Sequence, residues 1–303
     1  MRTRTTFVNV AGFVVICLVW GTTLFVIKIG LRAGWPPFWF ASLRFLIASV
    51  IMSSLLVSRS AGPPLGAAGL RLVLPVGVVG VGVHYGLVFW GERFIGAGVA
   101  SLVAATQPAT TVILDALLTG RGVRIRTISG LIVGAVGIVL IVGAASLHGI
   151  SAMLGAVAVF AGVTAFAAST VYSVHRLEGL SLGRVILTEN IVGGVLLGLV
   201  ALPVEGVPRI PGSAAAWTAM LYLAAVASIV GLVGALWLAR RIGARRFSMT
   251  AYVTPLIGAA ASIVWLGESF RWPVLVGGAL LIVALVLILR DRDSALVPEA
   301  ATI

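Results

Sequence analysis

Charge is scarce in this chain. Asp, Glu, Lys and Arg make up 10% of its 303 residues, and only nine of them are acids. Soluble domains carry roughly 25% charged residues. So little charge cannot cover a water-facing surface, so most of the surface must face lipid. Cysteine is nearly absent too. Cys17 stands alone in the first apolar run, which excludes an internal disulfide or a cysteine-based metal site. It reads as a small buried hydrophobe. No H-E-x-x-H metal motif and no Walker motif is present, so no metal, cofactor or direct use of ATP is expected.

What is there is apolar. Residues of the AVILMFWYC set reach 60%, and the mean hydropathy is +1.16. The net charge of +12 would fit nucleic acid if it formed a stripe. The arginines instead sit in short clusters between apolar runs, so no nucleic-acid partner is expected and the lipid bilayer is. The first run, Phe7 to Ile29, is too long for a signal-peptide core and reads as a span.

Spans need ~20 apolar residues, and the breaks are Pro, Gly and Arg. The runs are 7–29, 38–57, 70–89, 97–118, 128–145, 153–174, 185–202, 215–238, 247–266 and 274–289. The expected fold is therefore an all-α integral membrane protein of ten transmembrane helices. With the N terminus inside, the inner connections hold fifteen arginines and the outer ones four: Arg32, Arg93, Arg209 and Arg271. That bias predicts both termini in the cytoplasm of a bacterial cell, in its inner membrane.

The chain also repeats itself at an offset of about 147. The stretch from Trp90 to Ala97 aligns with Trp237 to Ala244, Pro108 with Pro255, Gly120 with Gly267, Arg124 with Arg271 and Gly130 with Gly277. Each half holds five spans, an odd number, so the second half is inverted relative to the first. The expected units are 1–146 and 147–292, with a disordered tail over 293–303. Inverted halves can exchange conformations around a central site, which points to transport by alternating access.

Trp20-Gly21-Thr22 with Phe25 and Lys28, then Pro37 with Arg44, then Pro108 to Gly120, and finally Pro255 to Gly267-Glu268 followed by Gly277-Gly278, occur in this order. In these residues the chain resembles the EamA family of the drug/metabolite transporter superfamily. It departs at Arg121, where the family often has an acid. It departs also at Phe166-Ala167-Ala168, in place of Trp-Gly-Thr, and at Asn190, in place of the second-span arginine. The resemblance implies a carrier that exports amino acids, related metabolites or drugs through a cavity between the halves, driven by proton or substrate gradients. The alternatives are a channel or non-transporting scaffold, or an intramembrane enzyme.

Several residues are candidates for the substrate pathway. Pro108 and Pro255, expected mid-helix, would each free a backbone carbonyl, and Gln107 and Thr254 before them could bind substrate. A packing kink is the plain alternative. His84 could carry a proton or bind substrate, or it could simply bond a neighbouring helix. Trp20, Tyr85, Phe166 and Tyr172 fit an aromatic ligand or ordinary core packing. Lys28 and Arg44 could snorkel to the interface or grip a carboxylate. Asp115 and Glu189 join His84 as proton-coupling candidates; the plain alternative pairs them with Arg121 or Arg184. A small-molecule substrate and a monomer or homodimer complete the expectation.

Overall fold

The computed structural model describes residues 2–58, 65–120, 122–142, 149–254, 256–257 and 272–289. Pro255, Arg121, Gly267, Glu268, Arg271 and the tail after 292 lie outside them. Every regular element among the described residues is a helix, as hydrocarbon requires of a chain that must satisfy its own backbone.

Helix α1 is Arg2–Arg32 and α2 is Pro37–Ser58. Between them Gly34 takes φ +100, a left-handed turn open to glycine, and Pro37 starts the next helix. Helix α3 (Ala67–Gly91) and α8 (Ala214–Ile242) are long apolar spans, as are α6 (Ile150–Arg176) and α7 (Leu182–Glu205). Helix α4 comes in two pieces, Ala97–Ala104 and Gln107–Thr119. Helix α5 is Ile125–Val142 and α10 is Trp272–Leu289. The described part of α9 is Ala244–Phe247 with helical residues 250–254 and 256–257.

Helices α3 and α8, third in their respective halves, share an uncommon feature. Each widens in the middle into a π-helical stretch, Gly77–Val83 in α3 and Tyr222–Gly231 in α8. The His84 amide bonds back to Val79, five residues earlier. Such stretches are rare and concentrate at functional sites.

The packing partners are telling. Helix α1 lies mainly on α8, α6 on α3, α2 on α7, and α5 on α10, and α4 touches α9. Exchanging each helix with its counterpart in the other half turns α1–α8 into α6–α3 and leaves the other pairs unchanged. The halves are therefore interleaved about a pseudo-twofold axis. The residue register agrees. A side chain at Gly12 would strike Trp237, and one at Gly234 would strike Ile16. Moving each pair by the repeat offset of about 147 leads to residues 90 with 159 and 87 with 163, and the observed contacts, Gly91 against Val159 and Gly162 against Leu87, lie within one residue of these. Along α2–α7, Ser42 meets Gly198, Leu46 meets Gly194 and Leu56 meets Gly183, so the two helices run antiparallel. Leu46 thus lies beside its own repeat counterpart, residue 193, which marks the axis.

Glycine makes these approaches possible. A Cβ at Gly193 would collide with Val81, one at Gly80 with Ser169, and one at Gly130 with Ile288. Lipid supplies no hydrophobic drive between helices, so close van der Waals contact and hydrogen bonds must hold them. One such bond runs from the Ser42 hydroxyl to the Gly194 carbonyl at 2.8 Å.

Candidate functional site

A cavity of about 90 Å³ lies between the halves near mid-bundle. Trp20 and Ile27 of α1, His84 and Tyr85 of α3, Gln107 of α4, Phe166 of α6 and Thr254 of α9 are among its walls. Six of the sequence candidates thus meet in one place: Trp20, His84, Tyr85, Gln107, Phe166 and Thr254.

The helix break in α4 explains how backbone reaches this cavity. Pro108 does not kink a continuous helix as expected. It sits in the first turn of the Gln107–Thr119 piece, after a turn at Ala105–Thr106, where its missing N–H costs least. The carbonyl four residues before it belongs to Ala104, which lines the cavity. Ala251, four residues before Pro255, lines it as well. Ala104 and Gln107 are therefore mirrored by Ala251 and Thr254 at the repeat offset. Pro108 is buried behind them, and Pro255 lies outside the described residues.

The polar groups here are few and specific. The Gln107 side-chain nitrogen is buried without a hydrogen-bond partner among the described residues. Left empty, such a group costs about 1–3 kcal/mol. His84 donates from Nδ1 to the Gly162 carbonyl at 2.8 Å, which leaves Nε2 to accept a bond or a proton. Its ring lies 4.9 Å from that of Phe166, and Phe166 meets Trp20 edge-on at 5.5 Å.

Two candidates fall elsewhere. Tyr172 is half-buried and packs into the main hydrophobic core without lining the cavity. Arg44 neither snorkels nor lines it. Its side chain is fully buried, with the guanidinium 4.7 Å from the Tyr85 ring and 4.8 Å from the Phe45 ring, and its Nε donates to Ser228 in the π stretch of α8 at 2.8 Å. The aromatic faces and the Ser228 hydroxyl of α8 thus provide for its charge. Sequence reasoning could not see this partner, because the π stretch has no legible signature.

A profile of the EamA-like transporter family matches residues 9–143 and again 153–290. The chain belongs to the EamA-like transporter family. Over 285 residues it is 29% identical to a Streptantibioticus cattleyicolor protein named "Probable terminal-alkyne amino-acid exporter", covering 92% of each chain. It is 26% identical over 283 residues to a Salmonella typhimurium "Probable amino-acid metabolite efflux pump", covering 89% of this chain and 91% of that one. The Escherichia coli inner membrane transporter YedA shares 26% over 247 residues, 79% of this chain and 77% of that one. A crystal structure of 18% identity superposes with a TM-score of 0.76, covering 93% of this chain and 97% of the other, which shows a shared fold. The protein is a membrane transporter of ten helices in two inverted repeats, not an enzyme.

The two candidate acids of this EamA-like transporter, Asp115 and Glu189, lie toward the end of the bundle where α1 begins, here the Asp115 end. Glu189 is buried in a second cavity of about 40 Å³, with Ser169, Ser173 and Phe247 in the wall. Phe166 belongs to both cavities and stands between them. The charge of Arg240 reaches Glu189, and the Arg240 guanidinium itself donates to the carbonyls of Leu177 and Leu180, both at 2.7 Å. Arg121, one partner weighed for Asp115, lies outside the described residues. The Asp115 carboxylate accepts from His175 Nε2 at 2.9 Å and from Arg245 Nε, tying α4 to α6 and α9. Just beyond, Gly179-Leu180-Ser181-Leu182-Gly183 spells the G-x-S-x-G pattern of hydrolases. It forms a turn between two helices, with Ser181 exposed at the start of α7, and so lacks the strand-to-helix setting that chemistry uses.

Proposed function

We propose that this chain is a secondary active exporter of small amino-acid-like metabolites in a bacterial inner membrane, working by alternating access as a single functional unit. Both termini, and with them the Asp115 end, face the cytoplasm. The observation that carries this reading is the cavity walled by repeat-related residues, Ala104 with Gln107 and Ala251 with Thr254, each pair ending directly before a proline in the sequence. Proline-interrupted segments at corresponding positions of inverted halves point to where carriers hold their solute. At about 90 Å³ the cavity lies well below the roughly 300–1,000 Å³ of open ligand pockets, as expected of a site nearly closed off between two open states. The names of the relatives from Streptantibioticus cattleyicolor and Salmonella typhimurium favour amino-acid-like cargo.

In this reading Gln107 and Thr254 bond the solute, His84 Nε2 accepts from it, and Trp20, Tyr85 and Phe166 wall it in. Glu189 takes up and gives back the coupling proton, since its carboxylate faces a cavity and forms no ion pair among the described residues. Asp115, held by two partners, acts as a closure between helices. The test is export of a toxic amino-acid analogue from a host stripped of its own exporters, followed by counterflow in proteoliposomes. Gln107→Ala should slow efflux about tenfold at equal protein level, the worth of one good hydrogen bond. Glu189→Gln should abolish efflux driven by a pH gradient and leave counterflow intact. Wild-type protein that confers no resistance and supports no counterflow with any amino acid rejects the cargo. Unchanged gradient-driven efflux in Glu189→Gln rejects the coupling role.

A further inference from the structure

A third cavity is wider than the central one. It is a basin of about 560 Å³ at the opposite end of the bundle, where α1 ends. Lys28 and Arg32 of α1, Arg93 after α3, and Arg209 in the connection between α7 and α8 all line it, and Glu205 is its one acid. The positive-inside rule keeps lysine and arginine away from this end. Every described cation that remains here nevertheless converges on one concavity, from three separate segments of chain.

The acids nearby do not cancel that charge. Both oxygens of Glu205 already accept backbone bonds, from Phe38 and Trp39 at 3.0 Å each, where they secure the start of α2. The Glu92 carboxyl is buried, with neither oxygen hydrogen-bonded among the described residues. Burial pushes it well above the usual carboxylate range, with the Lys28 charge opposing, which favours the neutral form. Arg32, Arg93 and Arg209 form no ion pair among the described residues. Lys28 is fixed in place, because its ammonium donates to the carbonyls of Glu92 at 2.6 Å and Ile95 at 2.9 Å. An ammonium has three donors, so one remains.

We propose that this basin is a binding site for a small oxyanion, a carboxylate or a phosphate, gripped by Lys28, Arg32, Arg93 and Arg209. Planar guanidinium forks suit that geometry. Ile27 lines the central cavity and Lys28 the basin, so a single step along α1 connects the two. A solute carboxylate leaving the cavity meets the basin next. Only that role in release rests on the export reading; binding itself does not.

The test is isothermal titration of the full chain in nanodiscs of phosphatidylcholine alone, with glutarate as probe and its uncharged diamide as control. Glutarate should bind saturably and the diamide should not. The paired change Arg32→Gln with Arg209→Gln should weaken glutarate at least about tenfold, while Arg32→Lys with Arg209→Lys retains most of the binding, with thermal melts confirming that both pairs are folded. Higher salt should weaken it as well. Repeating the titration in nanodiscs containing phosphatidylglycerol separates the two sources. Undiminished glutarate binding assigns the site to a dissolved solute, and competition assigns it to a lipid headgroup. Equal binding of acid and diamide, or equal binding by parent and the glutamine pair, overturns the proposal. Transport plays no part in the readout, so failure of the export reading and failure of this one are told apart.

Discussion

The two ends of the bundle are related by the repeat, yet they are built in opposite ways. At the Arg32 end the helices splay around an open basin, and the cations there are spread along its wall. At the Asp115 end the charges are spent on closure: Asp115 holds His175 and Arg245, and Arg240 clasps the turn after α6. Near-symmetric backbones thus carry asymmetric side chains. In the alternating access we propose, a pseudo-twofold scaffold would make two open states available, and a few charged contacts would decide which end is shut.

That contrast depends first on a rigid pivot, and the largest effect is expected there. A side chain on Gly193 would strike Val81 in the π stretch of α3, close to the axis that relates the halves. Overpacking costs about 1–3 kcal/mol where neighbours can move and more where they cannot. Gly193→Leu should therefore lower the yield of monodisperse protein severely, read by size-exclusion chromatography. Unaltered yield and melting temperature would mean the axis is not the tight contact described.

The closed end supplies the next effect. Asp115→Ala removes the acceptor shared by His175 and Arg245. A network of this kind is worth about 1–2 kcal/mol, or roughly a tenfold change in population. Cysteine labelling at Ser173, inside the second cavity, should speed up by about that factor, measured in a Cys17→Ser background. If the rate is unchanged, the contacts decorate the end without closing it.

The smallest effect sharpens the account of the basin. Glu92 keeps its proton when folded and loses it when unfolded, once pH exceeds the ordinary carboxylate range. Folding must then hold a proton that the unfolded chain releases, so stability falls as pH rises through that range. At acid pH both states are protonated and the penalty vanishes. Glu92→Gln should thus melt about 2 °C higher than the parent at pH 8 and no higher at pH 4. A gain independent of pH would show that the carboxyl is ionised in the fold.

Much of this was legible in one dimension. Scarce charge and apolar runs marked the spans, the offset between Trp90 and Trp237 marked the repeat, and its odd span count marked the inversion. The pairing of Gln107 with Thr254 could also be read, because proline after a polar residue recurs at the same offset. Other features could not be read. Arg44 was expected near an interface, yet it is enclosed by rings that lie 41 residues further along the chain and by Ser228 from the other half. Asp115 was matched to Arg121 or Arg184, and its partners among the described residues, His175 and Arg245, come from α6 and the start of α9.

Sequence alone determined that this chain lives in lipid, that it is helical, and that its second half inverts its first. These follow from composition and period, which act locally and need no knowledge of neighbours. Tertiary structure decided that the halves interleave helix by helix, that two spans widen into π turns, and that the scattered arginines of one end share a single basin. Such outcomes depend on which surfaces meet, and that is fixed by close packing between segments far apart in the chain.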